Sequence, residues 1–352
     1  MSNIEIPETL LGLVSHYSPT GSESPAAGWL VERMHLLGYE QAFLDAAGNP
    51  VGVIGKGPRQ IVLMGHIDTV PGELPVHISD GILYGRGAVD AKGPLAAFVD
   101  AAAQAAAGEG WQLVVIGAVE EEGSSRGARF AADHYHPDYA VIGEPNHWDR
   151  VALGYKGSVW AEIEVNQPQN HTASGEVSAC ETAVALWLAI KKQADEFNSG
   201  KPRAFDQVLP TLRAIHSGQD GFSQWARLQV GARLPLAFTP EDWIAALKGI
   251  CGKFLVKLLG EPIQAWSCAK NTRLVRALLA SIRGQGGEPA FVNKTGTADL
   301  NIVAPAWGCP ALVYGPGDST LDHTPNEKLS VEEYNRSVAV LKSALQQLMK
   351  AE

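Results

Sequence analysis

The stretch GHIDTVPG, residues 65–72, sets His66 and Asp68 two positions apart directly after the apolar run QIVLM. An imidazole can ligate a borderline divalent ion, and a nearby carboxylate can share that ion or orient the ring. Other metal-capable groups recur along the chain: Glu120-Glu121-Glu122 after WQLVVIGAV, Glu144 after YAVIG, and His323 a short loop beyond CPALVYGPG. Asp90 joins them from the glycine-rich loop YGRGAVDAKG. Each has a bland alternative. EEEG alone is a solvated acidic turn, GEP a strand-to-turn signal enforced by Pro145, and LDHTPNE a loop with a histidine. Their shared position, just past the carboxyl ends of four predicted strands, is what argues for a site. Open α/β sheets bind ligands in that crevice.

Two histidines and several carboxylates without cysteine suit zinc or a similar ion. One ion needs about three protein ligands and an open position. Five candidate ligands are enough for two ions about 3.5–4 Å apart if one carboxylate bridges them. The remaining carboxylates could orient an imidazole or accept a proton. His134 and His136 in ADHYHPD have metal-like spacing but no carboxylate cluster, and read as surface residues.

The elements that must position these groups are legible from periodicity. Residues 1–150 alternate strand-like and helix-like segments: a helix in WLVERMHLLGY (29–39), strand QIVLMG (60–65), the Ala-rich helix GPLAAFVDAAAQAAA (93–107), strand 111–119, helix SSRGARFAADH and strand YAVIG (139–143). That alternation implies an open, mostly parallel α/β sheet. From about Gly154 the texture changes. KGSVWAEIEV alternates as a half-exposed strand does, followed by helix ACETAVALWLAIKKQADEF, strand LQVGARLPL and a second helix over 240–259. The α/β pattern resumes near residue 270. The expected organisation is a discontinuous catalytic domain, 1–154 and 269–352, interrupted by a smaller α+β lid, 155–268.

The net charge of −10 argues against nucleic acid as a partner, and no apolar run approaches a membrane span. The lack of a basic, apolar leader-like start and the scattered Cys180, Cys251, Cys268 and Cys309 favour a reducing, cytoplasmic setting with free, mostly buried thiols. Residues 155–268 carry no net charge, so the whole acidic excess lies in the remainder.

GHIDTVP, YGRGAVDAKGP, AVEEEGSSRGA, VIGEP and GPGDSTLDHTPNE together resemble the ordered motifs of the dinuclear zinc amidohydrolase family, across nearly the whole chain. The resemblance implies two zinc ions per subunit, with cobalt as an alternative. One ion would take His66 and Glu144, the other Glu121 and His323, with Asp90 bridging; the Asp90–Ala91 bond becomes a candidate cis peptide. Asp68 would hold His66, and Glu120 would be the general base. His171, in the lid segment QNHTASGE, would stabilise the oxyanion, reaching a partner's active site in members that dimerise through the lid. The family often has Asp before its glutamate pair, where this chain has Val119.

Many members also carry an Arg where KTGTADLN has Asn301, which weakens a succinyl-diaminopimelate reading. The chain looks most like the lysine-biosynthesis branch, whose members release lysine or ornithine from the C-terminal Glu of a small acidic carrier protein. An acetylornithine deacetylase or general N-acyl-amino-acid amidohydrolase is the nearest alternative; a non-catalytic metal-binding protein is disfavoured by the complete ligand set. A charge-neutral lid with Lys201, Arg203, Arg213, Arg227 and Arg233 would offer an acidic carrier a docking face.

Overall fold

The computed structural model describes residues 7–350. The chain divides into two compact units: everything described up to Leu153 with Cys268–Val292 and the chain from Ala298, and a second unit of Gly154–Ser267 with Asn293–Thr297.

In the larger unit, Arg59–His66 lies at the centre of the sheet, parallel to Trp111–Ala118 on one side and Tyr139–Gly143 on the other. Ala311–Val313 continues the parallel run beside Tyr139–Gly143. Pro50–Ile54 and Gln41–Leu44 extend one side antiparallel, and Arg150–Tyr155 the other. Residues 61–66 are all buried, which is why the central strand reads as a continuous apolar run rather than an alternating one. The mixed sheet agrees with the expected α/β class.

One row of the sheet explains how the site loops are brought to the strand ends. Gly65 is in register with both Gly117 and Gly143. Helix Lys92–Ala105, which starts two residues after Asp90, packs against this row. A Cβ at Gly143 would fall 2.8 Å from the Phe98 ring, and one at Gly65 would fall 3.3 Å from Leu95 Cβ. Glycine therefore lets the helix settle onto the sheet. The helix is buried on almost every side, so its alanines serve close packing as much as helix propensity.

The smaller unit is a four-stranded antiparallel sheet in the order Leu209–Gln219, Ser223–Leu234, Gly157–Pro168, Leu255–Leu258. Helices Ala179–Asn198 and Pro240–Cys251 contribute Ala183, Leu186, Ile190, Trp243 and Leu247 to its core. Ser178 and Thr239 each start a helix with a reciprocal capping box.

Two expectations change here. The second helix stops at Cys251 rather than running to 259: Gly252 adopts φ 55°, and Leu255–Leu258 instead pairs with Gly157–Pro168. Leu209–Gln219, which the sequence did not mark, forms an edge strand whose half-exposed residues give little apolar periodicity. All four cysteines are free, but only Cys251 is buried and Cys180 is exposed. Among the described residues no helix is long and apolar enough to cross a membrane.

Candidate active site

His66 closes the central strand and is 1% exposed. Its Nδ1 lies 3.0 Å from the Asp68 carbonyl oxygen and 3.3 Å from Asp68 Oδ1. With Nδ1–H donated there, Nε2 faces Asp90 Oδ1 at 3.1 Å. The other oxygen of the same carboxylate, Oδ2, lies 3.0 Å from His323 Nε2. His323 Nε2 in turn meets Glu122 Oε1 at 2.7 Å. Asp90 thus offers one oxygen to each of two imidazoles contributed by opposite ends of the chain. Ligand atoms of His66, Asp90 and Glu122 all lie within 4.8 Å of one another. The Asp90–Ala91 bond is cis.

Asp68 is fully buried and does more than face His66. It accepts from Thr20 Oγ1 (2.8 Å) and from the backbone amides of Glu121 (3.0 Å) and Glu122 (3.1 Å). Burial pushes its carboxyl up, but the His66 contact and these hydrogen bonds outweigh burial and hold it below the ordinary Asp range. Asp68 thereby ties the His66 strand end to the acidic turn. Thr20, in an N-terminal loop, carried no sequence signal.

The acidic turn differs from the expected one by a single residue. Glu120 takes φ 61°, and its carboxylate turns to Ser124 Oγ (2.5 Å) and Arg126 Nε (2.8 Å). Glu122, not Glu121, meets His323 and Asp90. For Glu121, burial first, then the charges of Glu144, Asp299 and Glu122, push the carboxyl well above the ordinary range despite the offsetting His66. The cause is the turn itself. It is closed by Gly123 and Ser125 amides donating to the Glu120 carbonyl, so the residues that follow Glu120 point inward. Three consecutive glutamates gave the sequence no means of fixing this register.

Glu144 follows its strand as expected and is 8% exposed; burial foremost, then Asp90, Asp299 and Asp322, pushes its carboxyl well up, against the pull of His66. Asp299, at the start of helix Leu300–Trp307, is a further buried carboxyl of the same group, raised to about 7 by burial and by Asp68. Asn301 is buried and turns its Oδ1 to the Ala298 amide at 3.1 Å. His171 lies in the smaller unit on an exposed turn, where its Nδ1 accepts from the Ala173 amide at 3.1 Å. His134 stacks on Phe130 and bonds its carbonyl, away from any carboxylate cluster.

The donor chemistry fits divalent ions. A ring nitrogen whose partner nitrogen is already donating presents its lone pair to a carboxylate oxygen, and His323 Nε2 faces two such oxygens. Mutually repelling buried carboxylates surround them. A proton or a cation must sit between such groups, and imidazole–carboxylate sets without thiolate suit zinc or a similar ion.

Comparison with known proteins places the chain in a family. The profile of peptidase family M20/M25/M40 matches residues 62–347. The LysW-lysine hydrolase of Deinococcus radiodurans is 43% identical, covering 97% of this chain and 96% of its own. The LysW-lysine/LysW-ornithine hydrolase of Sulfurisphaera tokodaii is 29% identical over 99% of this chain and 97% of its own. In fold, aminopeptidase PepT from Bacillus cereus superposes with a TM-score of 0.79 at 18% identity, covering 99% of this chain and 100% of that one. The M20 family metallo-carboxypeptidase Sso-CP2 from Sulfolobus solfataricus gives 0.76 at 18% identity, covering 98% and 99%. With its α/β catalytic unit, its smaller α+β unit and its metal-capable cluster at the strand ends, this chain belongs to peptidase family M20/M25/M40.

Proposed function

We propose that the protein is a metal-dependent amidohydrolase that releases lysine, or ornithine, from the side-chain amide of the C-terminal Glu of a small acidic amino-group carrier protein. The observation that carries the chemistry is Asp90, whose two oxygens each face a different histidine (3.1 and 3.0 Å). The likeness to LysW hydrolases over nearly the full chain supports the substrate class.

In this reading His66 and Glu144 would hold one ion and Glu122 and His323 a second, with Asp90 available to both; zinc suits the set and cobalt is an alternative. Such ions supply Lewis acidity toward water and the amide carbonyl. Glu121, not Glu120, is the general base. Its carboxyl feels the charges of His66, Glu144 and Glu122, whereas that of Glu120 is committed to Arg126 and Ser124. Glu121 takes a proton from the attacking water and returns it to the departing amine. The carbon–nitrogen bond breaks, water's oxygen stays on the carrier carboxylate, and the amino acid leaves with a free amine. Asp68 keeps the His66 ring oriented, and His171 donates to the developing oxyanion.

The smaller unit supports two further assignments. The sheet face opposite its helices carries Arg213 over Trp160 and Arg227 over Trp225, and both arginines are exposed. Arg227 also pairs with Glu164 on this face at 3.4 Å, so Arg213 beside Trp160 is the cation proposed to meet an acidic carrier. Of the other expected cations, Arg203 is paired to Asp206 at 2.6 Å and Lys201 lies over Phe197. On the other side, Val177, Val184 and Leu188 form an exposed apolar stripe along helix Ala179–Asn198 and the segment preceding it, which supports a homodimer through this unit.

The reading is tested by the mass of a carrier–lysine conjugate before and after exposure to zinc-loaded enzyme. Loss of one lysine by hydrolysis is expected; an unchanged conjugate alongside deacetylated N-acetylornithine would replace this reading with that of a small-molecule deacetylase.

A further inference from the structure

We infer that the buried pair Arg86–Glu327 is a positioning device that sets the geometry of the metal site by clamping three of its loops together; this rests on the metal-dependent reading above. Neither residue reaches the ligand cluster itself. Glu327 is 1% exposed and Arg86 7%. Glu327 Oε1 accepts the amides of Val89 and of Asp90, each at 3.0 Å. Its Oε2 accepts Arg86 Nη1, also at 3.0 Å. Arg86 donates onward, from Nη1 to the Thr324 carbonyl (3.1 Å) and from Nε to the Gly72 carbonyl (2.9 Å).

Those acceptors and donors are not a random selection of backbone. Asp90 is the carboxylate shared between the two histidines, Thr324 follows His323, and Gly72 lies in the loop that runs from His66 to the strand starting at His77. The clamp is itself anchored. Gly85 N–H donates to the Glu327 carbonyl, and Lys328–Ser330 continues as a strand against Ile82–Tyr84. Fixing the Asp90 amide fixes the direction in which its side chain leaves the backbone. Fixing Thr324 does the same for the neighbouring His323. The Arg86 charge makes the arrangement tolerable, since a buried Glu327 anion close to the Asp90 carboxylate would otherwise be unpaired. Removing a group that orients metal ligands typically weakens metal binding or activity about 10–100-fold.

The test compares wild type, Glu327→Gln and Arg86→Lys, with Leu341→Ala as a control for general destabilisation; Leu341 is a buried apolar residue of the C-terminal helix, 14 positions beyond Glu327, and its side chain has no polar group to join the clamp. Each protein is loaded with Co²⁺, its visible spectrum is recorded, and its affinity is measured by competition with a chromophoric chelator. Glu327→Gln should bind about 10–100-fold more weakly with an altered spectrum. Its kcat should fall by a similar factor at unchanged KM, and excess metal should restore part of it. Arg86→Lys keeps a positive charge beside Glu327 but loses the planar fork that reaches Gly72 and Thr324; it should show a weakening of the same kind with little change in Tm. Leu341→Ala should keep the wild-type spectrum and affinity. The inference is overturned if Glu327→Gln, or Arg86→Lys where the former does not fold, matches wild type in spectrum, affinity and kcat. It is equally overturned if Leu341→Ala loses metal to the same extent. A wild type that binds no Co²⁺ or Zn²⁺ would instead defeat the metal-dependent reading itself.

Discussion

Exchanging Glu121 and Glu120 separately for Gln distinguishes two registers of the same acidic turn. Gln keeps the size and hydrogen-bonding reach of Glu but cannot accept a proton from water. Positioned general bases contribute about 10²–10⁴ in rate, or roughly 3–5.5 kcal/mol of barrier at about 1.4 kcal/mol per decade. Glu121→Gln should therefore lower kcat by about that factor. Folding should survive, because the Asp68 contact comes from the Glu121 backbone amide and not its side chain. Burial and the neighbouring carboxylates also disfavour its charged form, so the amide should cost little stability. Glu120→Gln removes the ion pair with the half-exposed Arg126, an interaction of about 0.2–1 kcal/mol, and disturbs the hydrogen bond from Ser124, but should leave kcat within about twofold. Initial rates on a carrier–lysine conjugate at saturating metal, with thermal melts of the same preparations, measure both effects. A collapse of kcat in Glu120→Gln with near-normal activity in Glu121→Gln would refute the assignment.

Other substitutions separate ligands from the groups that hold them. His66→Ala and Glu122→Gln should each lower metal content by up to one ion per chain by elemental analysis. Asp68→Asn should retain metal while losing about 10–100-fold in kcat, because the His66 ring is no longer held by an ionised acceptor; loss of metal there would make Asp68 a ligand. Arg213→Glu should lower kcat/KM for the acidic carrier about 10-fold at low ionic strength, with the deficit shrinking in about 0.5 M salt as charges are screened. A deficit independent of salt would remove that face from docking.

Much of the site was legible because its parts sit where strands end. His66, Glu144 and His323 follow apolar runs whose length and β-branched content mark buried strands, and a parallel sheet gathers such ends into one crevice; Asp90 joins them from a glycine-rich loop before a helix. The acidic turn was not legible at single-residue resolution. Glu120, Glu121 and Glu122 are chemically identical, and only the positive φ of Glu120 and its pairing with Arg126 decide which two point inward. In the proposed reading, with Glu121 and Glu122 as the functional pair, the acidic residue that the family often carries before it is Glu120. The apparent departure at Val119 then disappears. Longer-range support escaped the sequence altogether. Thr20 meets Asp68 across 48 positions and Arg86 meets Glu327 across 241, and neither pair leaves a local periodic trace. In the smaller unit, the apolar residues of FLVKLL (254–259) extend the helical pattern of the sequence, but Gly252 ends the helix and Leu255–Leu258 forms a strand.

The claim that the cleaved amide belongs to a carrier protein is tested most directly by kcat/KM for carrier-bound lysine, carrier-bound ornithine and free N-acetylornithine, measured side by side with zinc-loaded enzyme through the amine released. The account predicts that at least one carrier conjugate exceeds N-acetylornithine by about 100-fold or more, as expected when docking energy from a remote surface is used in the transition state. Equal or higher efficiency on N-acetylornithine would contradict it.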